Sequence, residues 1–145
     1  MYTALLKSHS GLRWVLLFSF ISSIIILFRA SKKGTSIKAV KPYVLITLIV
    51  THVQFIIGLA LYFTSPKVIF AGTAMKDSVQ RFFLVEHISL MLIAIILVTI
   101  GYSKWKKATQ ASKAMKSLFN YYLIALILIL VSIPWPFRIA GSAWF

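Results

Sequence analysis

The sequence predicts an all-α integral membrane protein, a single transmembrane domain over residues 1–145 folded as an up-down four-helix bundle. Three observations predict it. Of the 145 residues, 60% are hydrophobic and 12% are charged, whereas about a quarter of a soluble domain is charged. Four windows are almost free of charge, each close to the ~20 apolar residues that a helix needs to cross a hydrocarbon core about 30 Å thick. Short polar stretches rich in lysine separate them. Helices rather than strands are required, because a few isolated strands would leave backbone groups unpaired in lipid.

The first span, 11–28, lies between Lys7 and Arg29, with Arg13 inside it and His9 just before it. A secretion signal would share the basic start. The apolar run from Trp14 to Phe28 is long, however, and Phe28-Arg29-Ala30-Ser31 is a poor cleavage site, so the segment is expected to be retained. The second span, 43–63, is uncharged between Lys41 and Lys67. The third, 82–102, lies between Arg81 and Lys104 and contains Glu86 beside His87. The fourth, 118–133, is uncharged between Lys116 and Arg138 and stops at Ile133-Pro134-Trp135-Pro136. The linkers 30–40 and 104–113 are short, which makes neighbouring helices antiparallel. The linker 64–80 is the longest, with Pro66 and Gly72 breaking regular structure.

Lysine and arginine counts set the orientation. Arg29, Lys32, Lys33, Lys38 and Lys41 follow the first span, and Lys104, Lys106, Lys107, Lys113 and Lys116 follow the third, ten in all. The opposite side has six: Lys7, Arg13, Lys67, Lys76, Arg81 and Arg138. Both termini are therefore expected to face outward, toward the periplasm, from a bacterial inner (cytoplasmic) membrane. Trp14, Trp135 and Trp144 on one side and Trp105 on the other read as headgroup anchors. The basic inner loops are expected to meet anionic lipids, and no nucleic acid is expected as a partner.

The composition also excludes chemistry. With no cysteine, there is no disulfide, Cys-ligated zinc, iron–sulfur cluster, c-type haem linkage or thiol catalysis. Asp77 and Glu86 are the only acidic residues, so no catalytic carboxylate pair exists. No Ser–His–Asp set, phosphate loop or Gly-rich fingerprint is present. An electron-transfer or accessory subunit is expected more than a stand-alone enzyme.

Ionisable groups within spans are costly and mark functional sites by default. His52 lies near mid-depth of the second span, His87 about one and a half turns into the third, and His9 stands just outside the first; none lies in the inner half. Two histidines on separate helices suit a b-type haem, each imidazole offering one nitrogen to the iron. Helical spacing aligns Phe83, Met91, Ala94 and Val98 with His87, and Leu48, Phe55, Ile56 and Leu59 with His52. Ala94 and Gly58 are small enough to admit a flat ring. Arg13, Arg81 and Arg138 at the outer boundary suit propionates. Glu86 has two roles open to it: orienting an imidazole or pairing with Arg13 or Arg81. The favoured axial pair is His52 with His87; His9 with His87, across the bundle diagonal, is the alternative. The remaining histidine would serve a proton or a quinone. Ser19, Ser22, Ser23, Thr47, Gly58 and Ala60 read mainly as helix-packing residues.

These residues carry a resemblance. His9-Ser10-Gly11-Leu12-Arg13-Trp14, His52-Val53-Gln54-Phe55-Ile56-Ile57-Gly58-Leu59 and Glu86-His87-Ile88-Ser89-Leu90-Met91-Leu92-Ile93-Ala94 make up most of it. Gly101-Tyr102-Ser103-Lys104 and the Ile133-Pro134-Trp135-Pro136-Phe137 ending add to it. The chain resembles small four-helix membrane proteins of Bacteroidota of the cytochrome b-like type. More distantly it is similar to the cytochrome b561-like and CopD-like four-helix groups. The resemblance implies haem binding and membrane electron transfer. Three histidines fall short of the four that two bis-histidine haems need. The chain also looks somewhat like the membrane protoporphyrinogen oxidases, but no span here holds the lysine that those proteins pair with an N-terminal histidine.

The expectation is thus one haem b between spans two and three. Electrons would pass between a membrane quinol and a periplasmic carrier or a partner membrane subunit. Two rivals stand beside it. One is a non-haem transporter or proton- and metal-handling protein using His9, Glu86 and His87. The other is a structural accessory subunit in which the histidines only tie helices together.

Overall fold

The computed structural model describes residues 1–139, Ser142 and Trp144. Four long helices account for nearly all of them: α1 (Tyr2–Lys33), α2 (Ile37–Thr64), α3 (Ser78–Lys106) and α4 (Ala111–Ser132). Each is long and apolar enough to cross a membrane. Large apolar side chains such as Phe18, Ile56, Phe63, Ile96 and Ile127 face outward. A helix apolar on every side needs lipid or protein around it, so the chain reads as a multi-pass membrane protein.

Local chemistry sets the ends. Gly34 takes the left-handed conformation (φ 65°), and its N–H closes α1 on the Ala30 carbonyl. Ser36 then accepts the Ala39 N–H and starts α2. Asp77 caps α3 by accepting the Gln80 N–H at 2.8 Å. Within α3, Phe82–Glu86 forms one π turn, with the His87 N–H bonded to the Phe82 carbonyl. A short 3₁₀ turn, Gly72–Lys76, lies in the connection between α2 and α3.

The bundle is up-down. His9 of α1 packs on Gly58 late in α2, while Ser23 meets Thr47. The Ser112 hydroxyl reaches the Ser31 carbonyl, and the Tyr62 hydroxyl reaches Leu84. The helices run α2–α1–α4–α3 around the bundle, and the seam between α2 and α3 is the loosest. Both termini and the connection to α3 share one end, here called the terminal end. The lysine-rich turns share the other, the basic end.

The helices are longer than the expected spans. α1 begins at Tyr2 rather than at residue 11, so His9 lies inside a helix rather than before it. Hydropathy marks the part of a helix that lipid requires to be apolar. It does not see backbone that stays helical beyond that layer, and 32 residues at about 1.5 Å each reach roughly 48 Å.

The tightest packing lies toward the basic end. Phe20, Leu27, Val44, Trp105, Met115, Leu118 and Tyr122 are fully buried there. The Phe20 and Tyr122 rings pack tilted with centres 5.6 Å apart, and the Tyr122 hydroxyl donates to the Val44 carbonyl at 2.8 Å. A buried hydroxyl ladder joins α1 to α2: Ser23 and Thr47 lie 2.8 Å apart, and Thr47 donates to the Ser19 carbonyl at 2.9 Å.

Candidate functional site

Toward the terminal end the four helices part around a cavity of about 220 Å³. Leu6, His9 and Arg13 line it from α1; Gln54, Phe55, Gly58 and Tyr62 from α2; Phe83, His87, Met91 and Ala94 from α3. Ser65 and Lys67 stand at its mouth. Its walls are mostly apolar, with a few convergent polar groups, as in sites for small molecules.

Two imidazoles meet in it. The His9 and His87 rings lie edge to face with centres 6.5 Å apart. Two imidazoles sharing one metal ion, with bonds of about 2.0–2.1 Å, would set ring centres roughly 6 Å apart. Nδ1 of His87 donates to the Ser132 carbonyl at 2.7 Å, which fixes the proton on that nitrogen and leaves Nε2 with a free lone pair. Nδ1 of His9 is buried with no hydrogen-bond partner among the described residues.

The free carbonyl that holds His87 traces to the sequence. In a continuing helix, the Ser132 carbonyl would accept the N–H of residue 136, and Pro136 has none. Likewise Pro134 strips the donor from the Leu130 carbonyl, which takes the Trp135 indole N–H at 2.9 Å instead. The Val131 carbonyl takes Arg138. The Pro134-Trp135-Pro136 ending thus frees three carbonyls, and side chains satisfy all three.

His9 is held from α2. The Gln54 amide donates to the His9 carbonyl at 2.9 Å, leaving Oε1 of Gln54 buried and unbonded. A Cβ added at Gly58 would lie 2.9 Å from Cε1 of His9. The space at Gly58, expected to admit a macrocycle, is taken by the imidazole of His9.

The favoured His52–His87 pair is not what the fold brings together. His52 lies outside the cavity: its Nδ1 contacts the Leu48 carbonyl at 2.8 Å and its Nε2 lies 3.4 Å from the Thr99 hydroxyl. The stripe of α2 facing the cavity runs through Thr51, Gln54, Phe55, Gly58 and Tyr62. His52 follows Thr51 by about 100° of helix rotation, which turns it toward α3. Phe55 and Leu59, expected on its face, do reach the cavity.

The three arginines also separate. Arg13 lines the cavity, 7% exposed. It donates to the Trp144 carbonyl at 2.6 Å and lies over Trp14 and Trp135. Arg81 pairs with Glu86 at 2.9 Å and sits at the surface. That i to i+5 spacing meets because the π turn widens the helix between them. Glu86 accordingly pairs with Arg81 and orients neither imidazole. Arg138 lies over the Phe82 ring. Gln54, Lys67 and the Ser132 carbonyl belong to the site but were not foreseen. The two prolines could have pointed to Ser132; nothing local marks Lys67 as a cavity residue.

Among the described residues, no group of three or more His, Cys, Asp or Glu could hold a metal ion. The donor set of the cavity is therefore two imidazoles. A structural zinc site needs four protein ligands, whereas an iron porphyrin carries four nitrogens and needs two axial partners. The cavity is smaller than the roughly 300–1,000 Å³ usual for drug-sized ligands. A porphyrin is larger than this volume, and the loose seam between α2 and α3, where Leu59 and Ile88 line the cavity, is where it would have to extend. No protein-family model, no curated protein and no solved structure matches the chain.

Proposed function

We propose that the protein is a b-type haem-binding membrane protein that takes part in electron transfer, alone or as a subunit of a larger membrane complex. One observation carries the reading: two imidazoles from α1 and α3 converge at 6.5 Å in an apolar cavity. One is held by a carbonyl through its far nitrogen and the other keeps a buried nitrogen unbonded. On this reading His9 and His87 would hold the haem iron. Gln54 and Gly58 set the place of His9, and the Ser132 carbonyl sets the ring of His87. A bound haem would supply one-electron chemistry, and the surrounding aliphatic and aromatic walls would keep water from it. His52, half-buried beside Thr99, is left for a proton or a quinone in the α2–α3 seam.

The positive-inside bias puts the cavity near the outer face of a bacterial inner membrane. A periplasmic carrier or partner subunit could reach it there, and the basic end would meet anionic lipid. The test is the spectrum of the purified protein, oxidised and then dithionite-reduced. The wild type should show a Soret band and a sharp reduced α-band. His9→Ala and His87→Ala should each lose that band, and His52→Ala should keep it. A protein purified from haem-replete cells and reconstituted with haem that shows no such band in any form refutes the reading. Loss in His52→Ala but not in His9→Ala would restore the other pairing.

A further inference from the structure

The two lysine-rich turns carry equal charge, five cations each, yet the fold builds them differently. Between α1 and α2 the chain closes on itself: Gly34 ends one helix, and the Ser36 hydroxyl caps the next by accepting the Ala39 N–H. Between α3 and α4 it leaves an open pocket of about 380 Å³, walled in part by Lys104, Trp105, Lys107, Thr109, Lys113 and Ser117. No side chain caps α4, and its first intrahelical bond is that of the Ala114 N–H to the Gln110 carbonyl. The N–H groups of Ala111, Ser112 and Lys113 therefore have no acceptor within the helix. The Ser112 hydroxyl donates instead to the Ser31 carbonyl. Trp105 is 2% exposed, and its indole N–H is buried with no acceptor among the described residues. An indole nitrogen only donates, and a buried donor left unbonded is costly. Lys104 reaches the Tyr121 hydroxyl at 2.9 Å, while Lys107 and Lys113 have no ion pair among the described residues. Both acidic side chains, Asp77 and Glu86, lie at the terminal end. The pocket gathers donors and positive charge with no anion to meet them.

We infer that the α3–α4 turn is a discrete site for one phosphoryl group, whose oxygens would be shared by the Trp105 indole, the first N–H groups of α4 and the ammonium groups of Lys107 and Lys113. The site stands at the opposite end of the bundle from the His9–His87 cavity and does not depend on what that cavity binds. A phosphoryl group brings several strong acceptor oxygens and up to two negative charges, which suits many converging donors. The first turn of a helix favours an anion, and lysine meets phosphate as a point charge. A general attraction between basic loops and anionic lipid would treat the two turns alike, whereas a built site distinguishes them. A lipid headgroup and a soluble phosphate offer the same chemistry, and the test separates them.

The test follows the indole N–H resonance of Trp105, assigned by its absence in Trp105→Phe, in the full chain held in maltoside micelles at fixed ionic strength. Titration with inorganic phosphate or with phosphatidylglycerol should shift that resonance saturably, and chloride should not. A shift with phosphatidylglycerol that phosphate neither produces nor displaces assigns the group to a lipid headgroup; a shift with phosphate alone assigns it to a soluble phosphate. Lys107→Gln combined with Lys113→Gln should weaken binding at least about tenfold, as the loss of charge-assisted hydrogen bonds implies, with the thermal midpoint of the chain unchanged. Lys33→Gln combined with Lys38→Gln removes the same charge from the other turn and should weaken binding less than about twofold, because distant surface charges are screened. Equal weakening by the two double variants would make the attraction one of diffuse charge and overturns the inference. A Trp105 resonance that moves with neither probe also overturns it.

Discussion

Toward the basic end, Phe20, Val44, Trp105, Leu118 and Tyr122 are fully buried, and the polar atoms of Ser23, Thr47 and Tyr122 are bonded across helices, while Nε1 of Trp105 has no partner among the described residues and an open pocket lies at the 104–117 turn. Toward the terminal end the same four helices enclose about 220 Å³ and leave Nδ1 of His9, Nε of Arg13 and Oε1 of Gln54 without partners among the described residues. The difference lies in residue size and in where polar groups converge. At the basic end Gly101 lets α3 and α4 touch: a Cβ there would lie 2.6 Å from Cβ of Tyr121. At the terminal end Gly58 makes room for an imidazole instead. The tight half holds the bundle together and the open half is free to hold a ligand.

That contrast can be broken by substitution. Unfolding free energies in mixed detergent should show the largest effect for Tyr122→Ala, about 3–5 kcal/mol, because a fully buried ring and its bond to Val44 are lost together. Phe55→Ala, at the cavity wall, should cost under about 1 kcal/mol, since few contacts are removed from a side chain that faces open space. Equal costs at the two sites would mean that the terminal end is packed as tightly as the basic end.

Glycine replacement sharpens the same point. Gly101→Val should cost about 1–3 kcal/mol or more through overpacking between α3 and α4. Gly58→Val should leave stability closer to wild type but displace His9, removing the reduced α-band expected of the wild type. Retention of that band in Gly58→Val would argue that His9 can move without consequence. Smaller still is Thr47→Val, about 0.6–1.7 kcal/mol, the range of interhelical hydrogen bonds in membranes. Smallest is Arg81→Gln, below about 1 kcal/mol, because its pair with Glu86 is solvent-exposed. The same unfolding measurement ranks both.

Much of this was legible in the residues. Charge-free windows located the four helices, and the prolines at 134 and 136 located the end of the last. His87 with Phe83, Met91 and Ala94 on one face did line the cavity. The pairing of His87 was not legible. Spacing along one helix gives the relative angle of its residues but not the rotation of that helix against its neighbours. His52 was therefore favoured over His9, but the turn of α2 presents Gln54 and Gly58 to α1 and sends His52 toward Thr99. Of three boundary arginines, the sequence could not say which one would be buried.

By itself the sequence determined the solvent, the element type and the scarcity of acids, because transfer free energy and charge are properties of residues and simply accumulate along the chain. The tertiary structure alone decided that His9 faces His87, that Glu86 is spent on Arg81, and that Arg13 is enclosed on the cavity wall. Those outcomes depend on helix rotation, on one π turn and on the close approach that a glycine permits, all of which are set by side chains packing between helices far apart in the chain.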